Sequence, residues 1–341
     1  MNRLTGLLAL FSWLGLVACG DDTAGEVPIA SGTELWEQRV TAYAYQLAVA
    51  TDGSVYVAGH ADGLWLGKFA ADGTPLWTRE DPGTYANDLT VGEDGGIYLV
   101  ASDWFSDPPG AGRRIYRFDG DGTLVWRLED PLLPTIAVTP APGGGVYVGG
   151  GAGPVVFMRL DGAGKVLWTA EEPALPSIRA MATTPSGELV VTGSDETWWA
   201  HARDSKGAAL WTTDLGPAPA GGPRQPITVD LNGTVFVAVM AQNDPAGRGY
   251  LATLTSNGAV VSIRALAMPV TGLTTVDKDV VIGNLVPPNS VEVQSTAGEV
   301  VWTAAPPKDC WKTWEVAAVP GSAIVALREC PEGAQIVALQ P

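Results

Sequence analysis

At residues 156–168 the chain reads VFMRLDGAGKVLW, a stretch with two apolar runs on either side of a glycine-containing turn. Apolar strands joined by such short turns are the sequence signature of a β-hairpin. The end of this stretch, Gly-x-x-apolar-Trp, recurs along the chain, once with serine in place of tryptophan. The recurring slot is filled by Trp36, Trp77, Trp126, Trp168, Trp211, Ser262 and Trp302.

The spacing of this slot predicts the fold. Successive slots lie 40 to 51 residues apart, which is the length of a four-stranded propeller blade. The first slot lacks three preceding strands, and residues 314–341 supply three strands without a fourth. The sequence therefore predicts an all-β protein, a seven-bladed β-propeller of four-stranded blades over residues 32–341. An N-terminal strand is expected to close the ring by completing the last blade.

The stretch at residues 156–168 closely resembles the tryptophan-docking phrase of the PQQ-like repeat family of β-propellers, and the resemblance covers residues 32–341. It implies that each tryptophan packs between neighbouring blades. The family contains quinone-dependent dehydrogenases, which resemble eight-bladed rings with adjacent cysteines, and a bacterial scaffold lipoprotein of outer-membrane protein assembly. This chain has seven slots and no adjacent cysteines. The resemblance therefore implies the lipoprotein scaffold kind, and no cofactor is expected.

The N-terminal sequence predicts that the protein is exported and attached to a membrane. Residues 1–18 have a positive start and an apolar run too short to span a bilayer, as in a lipoprotein signal peptide. The run ends in Leu16–Cys19, which resembles a lipobox and implies cleavage before Cys19 and lipidation of its sulfur; a plain secretory signal is the alternative. Residues 19–31 predict a flexible tether. Because Gly20 follows the cysteine, the outer membrane is favoured within the cell envelope, and the side of that membrane is left open.

Two further cysteines, Cys310 and Cys330, are expected to pair. An exported protein enters an oxidising compartment, where paired cysteines persist. Both fall on the same predicted face of the ring, and a bridge would close a loop of about 20 residues. The chain-entropy account values such a bridge at about 3 kcal/mol. Two free thiols are the alternative.

The long loops are predicted to gather on one face of the propeller. Turns between second and third strands share this face with the links between blades, and Ser102–Arg114, Leu215–Pro226 and Ala241–Gly249 all fall there. Irregular loops on a rigid scaffold commonly carry function, and aromatic residues beside arginine are typical of binding hot spots. The alternative for Trp104 and Trp198 is that they cap the blades. The candidate binding residues on this face are Asp103, Trp104, Phe105, Arg113, Arg114, Asp195, Glu196, Trp198, Asn243, Asp244, Arg248 and Trp311.

Composition and missing motifs narrow the function. The formal charge of −17 argues against nucleic acid as a partner and against electrostatic docking on anionic lipid, which leaves the lipid anchor as the expected membrane contact. The two histidines, His60 and His201, have no metal-spaced partner, so no metal site is predicted. The sequence has no Gly-x-Ser-x-Gly elbow and no phosphate-binding loop, and no catalytic residue is predicted.

Three interpretations follow. The first is a non-enzymatic, envelope-anchored propeller lipoprotein that acts as a protein-interaction scaffold through its loop-rich face, with an envelope protein as partner. The second is a carbohydrate- or small-ligand-binding propeller, or a lyase-type enzyme, that uses the central channel and needs His60 or His201 to face carboxylates there. The third is a structural surface component without a dedicated ligand. The resemblance favours the first, by analogy at the level of the fold.

Overall fold

The computed structural model describes most of the chain, and the secondary structure of the described residues consists of β-strands. None of these residues belongs to a helix that is long and apolar enough to cross a membrane. The described ranges are 31–82, 84–103, 113–129, 135–151, 154–175, 177–194, 196–217, 226–240, 248–284, 291–319 and 321–341.

The strands form seven sheets of four strands each. The N-terminal strand is β1 (Glu34–Val40). Blade one contains β2 (Tyr43–Val49), β3 (Val55–His60), β4 (Gly63–Phe69) and β5 (Pro75–Pro82). Blade two contains β6 (Tyr85–Val91), β7 (Ile97–Ser102), β8 (Arg114–Phe118) and β9 (Leu124–Glu129). Blade three contains β10 (Thr135–Pro140), β11 (Val146–Gly150), β12 (Val155–Leu160) and β13 (Val166–Glu172).

The second half of the chain repeats the arrangement. Blade four contains β14 (Ile178–Thr183), β15 (Leu189–Ser194), β16 (Thr197–Arg203) and β17 (Ala209–Pro217). Blade five contains β18 (Ile227–Val229), β19 (Val235–Met240), β20 (Gly249–Leu254) and β21 (Val260–Ala265). Blade six contains β22 (Val270–Val276), β23 (Asp279–Asn284), β24 (Val291–Gln294) and β25 (Val300–Ala304). Blade seven contains β26 (Lys312–Val319), β27 (Ala323–Cys330) and β28 (Gly333–Leu339).

Blade seven is completed by β1, which pairs antiparallel with β28 and places Trp36 opposite Ala338. The predicted seven-bladed ring, closed by its N-terminal strand, is confirmed. The first strand of each blade lines the centre of the ring and contacts the first strands of neighbouring blades, as β10 contacts β6 and β14. Middle strands pack against blades on both sides, so they are buried on both faces. The seven residues of β28 are all buried for this reason.

Aspartate and glycine shape the short turns within the blades. The Oδ1 atom of Asp161 accepts hydrogen bonds from the backbone nitrogens two and four residues later, at 3.0 and 2.9 Å. Gly164 then has φ of +83°, a left-handed conformation that glycine adopts without the penalty of a Cβ. Asp119 and Asp204 make the same pair of hydrogen bonds in their own turns. The repeated turn sequence therefore reflects a repeated backbone shape.

Tryptophans of the outermost strands join six of the seven blades to the next one. The ring of Trp126 packs on Gly164 of the following blade, where an added Cβ would lie 3.0 Å from the indole. Its Nε1 donates a hydrogen bond to the carbonyl oxygen of Gly162 at 2.9 Å. Trp302 packs on Gly32 and so joins blade six to the N-terminal strand. The hydrogen bond to the next blade is made by Trp36, Trp77, Trp126, Trp168 and Trp211.

The junction between blades five and six uses arginine instead. Ser262 occupies the tryptophan slot, and Arg264 lies two residues further along the same side of β21. The guanidinium carbon of Arg264 lies 3.1 Å from the position that a Cβ on Gly298 would take. Its Nη1 donates a hydrogen bond to the side chain of Gln294 in blade six. A long polar side chain thus fills the place of the missing indole.

A buried polar cluster and a disulfide secure the closing blade. Arg328 on β27 has a fully buried side chain, and its Nη1 lies 3.2 Å from both Glu34 Oε1 on β1 and Gln335 Oε1 on β28. Burial lowers the pKa of Arg328, and the nearby Glu34 opposes that shift. Cys310 and Cys330 form the expected disulfide, with Cα atoms 4.3 Å apart. The Arg328 cluster joins β27 and β28 to the N-terminal strand, whereas the disulfide joins the start of blade seven to the end of β27.

Candidate functional site: the loop-rich face and the central channel

The two faces of the ring are built differently. We call loop-rich the face that carries the links between blades and the turns between second and third strands, and narrow-turn the face that carries the other turns. The described chain starts on the narrow-turn face, because Gly32 packs on Trp302 as the turn glycines pack on the other tryptophans. The link that contains Trp311 lies on the loop-rich face. The tether expected before residue 32 therefore leaves from the side opposite the loop-rich face.

Three of the candidate residues flank one loop of blade two. Asp103 directly follows β7, Arg113 directly precedes β8, and Arg114 is the first residue of β8. The Nε atom of Arg114 lies 3.6 Å from Glu129 on the neighbouring strand. Burial lowers the pKa of the Arg113 guanidinium. The structure thus brings these three residues to the two ends of the same loop; Trp104 and Phe105 lie outside the described residues.

The candidates in blades four and five divide into exposed and buried side chains. Glu196 is exposed in the turn before β16, and Arg248 is exposed just before β20. The placement of Trp198 differs from the expectation of a binding side chain on the surface. It is 3% exposed and packs among core residues such as Leu215, because the third strand of a blade is covered on both faces. Asp195, Asn243, Asp244 and the expected lipidation site Cys19 lie outside the described residues.

Of the candidate aromatic residues that the structure describes, Trp311 is the exposed one. Its side chain is 45% exposed, although the neighbouring Cys310 is buried in the disulfide. The backbone nitrogen of Trp311 donates a hydrogen bond to the carbonyl oxygen of Glu329 at 3.1 Å. Lys312, the next residue, forms an ion pair with Glu329 at 2.7 Å. A large apolar side chain is therefore presented to solvent on a backbone that is fixed on two sides.

The structure reveals an aromatic cluster that sequence reasoning missed. The ring of His60 lies 5.5 Å from Tyr43, 5.8 Å from Tyr45 and 4.9 Å from Tyr85, measured between centroids. Tyr45 in turn lies 6.2 Å from Trp314. These side chains come from blades one, two and seven and sit where the strands leave the loop-rich face. The signal that could have found the other four is their position on first strands, shortly after a link between blades, whereas His60 ends the second strand of blade one.

A second feature missed from sequence is a ring of β-bulges around the channel. In six blades the pairing between the first and second strands skips one residue of the first strand at the same height. A bulge leaves its extra residue unpaired and changes the direction of its side chain. The bulged residues are Tyr45, Asn87, Ile136, Arg179, Thr271 and Trp314.

Four of these bulged residues line a cavity of about 230 Å³ in the central channel: Asn87, Ile136, Arg179 and Thr271. The charged residues of its lining are Asp88, Arg179 and Glu315. Asp88 accepts hydrogen bonds from the backbone nitrogens of Leu89 at 2.9 Å and Val138 at 2.8 Å. The cavity is therefore polar and carries charges of both signs.

Comparison with known proteins places the chain in a family. A profile of the family described as outer membrane protein assembly factor BamB matches residues 20–197, slightly more than half of the chain. The chain belongs to this family. The expected resemblance to PQQ-like repeat propellers of the scaffold kind is thereby confirmed. A search of curated protein sequences finds no match to this BamB-family chain.

Solved structures share the fold at low sequence identity. BamB from Moraxella catarrhalis gives a TM-score of 0.55 at 13% identity, over 91% of this chain and 90% of that chain. Virginiamycin B lyase from Staphylococcus aureus gives 0.65 at 16% identity, over 90% and 98%. A chain of the mitotic checkpoint complex gives 0.69 at 13% identity, over 99% of both chains. Because a propeller fold serves unrelated functions, these similarities establish architecture alone.

The histidines of this BamB-family chain do not reach the channel. Neither His60 nor His201 lines the central cavity. His201 is 2% exposed, stacks on Phe157 and lies 2.8 Å from the hydroxyl of Thr212. Burial, and secondarily the charge of Arg203, lowers the pKa of His201 to about 4, and burial also lowers the pKa of His60. Neither histidine therefore faces Asp88 or Glu315 across this cavity. Within the described ranges, no group of three or more His, Cys, Asp or Glu side chains is placed to hold a metal ion.

Proposed function

We propose that this protein is a lipid-anchored scaffold of the cell envelope that docks another envelope protein on its loop-rich face. The observation that carries the proposal is the match to the BamB family over residues 20–197. That family is described as an outer membrane protein assembly factor. The N-terminal sequence, with its lipobox ending at Cys19, supports anchoring at the same membrane.

The placement of the chain start supports docking on this face in particular. Because the described chain begins on the narrow-turn face, a tether from Cys19 would attach the propeller to the membrane on that side. The loop-rich face would then point away from the lipid and towards the space where partners move. Exposed Trp311 and the arginines at the loop of blade two are the kinds of side chain that dominate protein interfaces.

The anchor is tested by replacing the proposed lipidation site. In the cell that makes the protein, we expect the parent to fractionate with membranes and to incorporate radiolabelled palmitate. A Cys19→Ser variant should lose the label and leave the membrane fraction. Label incorporation by the variant, or membrane association of the unlabelled variant equal to that of the parent, would contradict lipid anchoring through Cys19.

Docking is tested by a cross-linked pull-down from envelope membranes. One variant replaces residues 103–113 by a short glycine turn, which alters the loop-rich face. The control variant, Leu231→Ser, changes a side chain that is 85% exposed on the narrow-turn face. We expect the parent and the control to capture the same one or two envelope proteins and the loop variant to lose them. Equal capture by all three would exclude this loop from the docking surface.

A further inference from the structure

Arg179 lines the central cavity without a direct ion pair to any described carboxylate. Within the described residues, the buried Nε of Arg179 has no hydrogen-bond partner, and no ion pair joins its guanidinium to a carboxylate. A buried or partly buried charge is costly unless it is paired or hydrogen-bonded. A planar guanidinium presents a fork of donors that matches a carboxylate with two parallel hydrogen bonds. Arg179 is therefore suited to receive a carboxylate from outside the chain.

The local backbone is built to hold Arg179 at this position. The pairing of β14 with β15 passes from Ile178–Gly193 directly to Ala180–Thr192, which leaves Arg179 as the bulged residue. Gly193 makes the bulge possible: an added Cβ there would lie 2.0 Å from the carbonyl oxygen of Ser177 and 2.1 Å from the Trp199 ring. The equivalent bulges of the other five blades carry uncharged residues. Among the six described bulges, blade four is the one that carries a positive charge.

The two acidic residues of the lining restrict the charge of a ligand. Asp88 comes from blade two and Glu315 from blade seven, whereas Arg179 comes from blade four. In a partly desolvated cavity, like charges repel more strongly than in water. A ligand with one carboxylate can place it on Arg179, whereas a second carboxylate would face Asp88 or Glu315. The cavity should therefore select a single carboxylate.

The remaining lining favours a small ligand with hydroxyl groups. The polar side chains of the lining also bond within the chain: Gln46 to the carbonyl oxygen of Asn87, Asn87 to the hydroxyl of Ser102, Thr139 to Thr183, and Thr271 to the carbonyl oxygen of Thr313. The hydroxyl oxygens of Thr139 and Thr271 keep a lone pair that can accept a hydrogen bond from a hydroxyl group of a polyhydroxy compound. A volume of about 230 Å³ lies below the roughly 300–1,000 Å³ of pockets for drug-sized ligands. The cavity therefore matches a molecule of about the size of a monosaccharide.

We propose that the central channel binds a small polyhydroxy monocarboxylate of the sugar-acid kind, with its carboxylate held by Arg179. The proposal concerns the channel and does not rest on docking at the loop-rich face, so either can fail without the other. It assigns to the cavity a ligand class defined by one negative charge, several hydroxyl groups and small size.

The test is isothermal titration calorimetry on the full chain, purified as the producing cell processes it. The probe is glucuronate, and the comparison compounds are glucose, which lacks the carboxylate, and glucarate, which has two. We expect glucuronate to bind and the other two to bind at least about tenfold more weakly, as for loss of a charge-assisted contact. Absence of binding by folded parent protein, or tighter binding of glucose or glucarate, would overturn the proposal.

Three variants connect the binding to Arg179. Arg179→Met should weaken glucuronate binding at least about tenfold, and Arg179→Lys should fall between it and the parent because the charge remains without the planar fork. The control Arg127→Met removes a cation from outer strand β9, where Arg127 pairs with Glu129, and should bind as the parent does. Thermal melting verifies that all variants are folded. Parent-like affinity of folded Arg179→Met would refute the assignment.

Discussion

The narrow-turn face and the loop-rich face contrast in how much their residues repeat. On the narrow-turn face, aspartate, glycine and tryptophan return at the same places from blade to blade, and each set performs the same turn and junction. Around the channel near the loop-rich face, the six bulges share one backbone shape but carry six different residues. In this molecule, residues that repeat from blade to blade build the framework. Residues that differ at the same backbone position are where a specific site can form.

The largest effect is expected where the repeated framework is disturbed. At Gly258, with φ of +83°, an added Cβ would lie 2.5 Å from the Trp211 ring, whereas Gly95, with φ of +70°, has no atom within 4 Å of that position. Gly258→Ala should cost about 3–4 kcal/mol, because left-handed strain adds to the displaced indole. Gly95→Ala should cost about 1–2 kcal/mol, from strain alone. Chemical denaturation measures both, and equal costs would show that tryptophan docking does not stabilise the ring.

The disulfide, on the loop-rich face, should contribute a comparable or slightly smaller amount to the unfolding free energy. Replacing Cys310 and Cys330 together by alanine removes a bridge between residues 20 positions apart. The chain-entropy account puts the loss of unfolding free energy at about 3 kcal/mol. The same loss should follow when the parent is measured in reductant. A double variant as stable as the oxidised parent would mean that the bridge adds nothing to the stability of blade seven.

Groups on the two faces should lose their contributions to stability in different pH ranges as the pH falls. On the narrow-turn face, burial raises the pKa of Asp94, but Arg117, Gly96 and Tyr98 outweigh it and hold that pKa below 3.8. Its contribution, about 1 kcal/mol, is present above pH 3.8 and is lost as the pH falls through the lowered native value. Asp94→Asn should remove this part of the acid sensitivity seen in thermal melting. An unchanged pH profile would mean that the Asp94 carboxylate contributes nothing.

His60, near the loop-rich face, should make the stability depend on pH at higher pH values than Asp94 does. Burial lowers its pKa below 6.5, so the native state favours the neutral ring. The unfolded chain takes up a proton first, and stability is lost as the pH falls from 6.5 towards the native value. His60→Phe, which keeps an aromatic ring among the tyrosines, should flatten the melting temperature in this range. A slope in the variant equal to that of the parent would assign the effect to another group.

The smallest stability effect is expected at the proposed docking surface. Trp311→Ala and Leu231→Ala both shorten exposed side chains, and each should change the unfolding free energy by less than about 0.5 kcal/mol. Only Trp311→Ala should reduce capture of an envelope partner. A large loss of stability in Trp311→Ala would show that this residue supports the fold rather than a partner.

The framework could be predicted from sequence because it repeats. Spacing of the tryptophan slot gave the number of blades, and the incomplete first and last units gave the closure by β1. At Ser262 the sequence showed that an indole is absent, but not that Arg264 replaces it, since that depends on packing across two blades. The blades could be predicted because the same local sequence pattern recurs in most of them.

The site could be predicted only in part because its residues meet through closure of the ring. The rings around His60 come from blades one, two and seven and lie far apart in the chain. The bulge that holds Arg179 depends on pairing register, which apolar alternation does not reveal. Trp198 was expected among the candidate binding residues, but the third strand of a blade is buried on both sides. The position of a residue in the chain does not show whether its side chain is buried within a blade or available to a ligand or partner.

The most direct test of the docking proposal is site-specific photo-crosslinking in living cells. A photoreactive residue is placed at position 311 on the loop-rich face or at position 231 on the narrow-turn face, both exposed in the structure. We predict a discrete adduct with one envelope protein from position 311 and none from position 231. An adduct from position 231 with none from position 311 would contradict the claim that the loop-rich face is the docking surface.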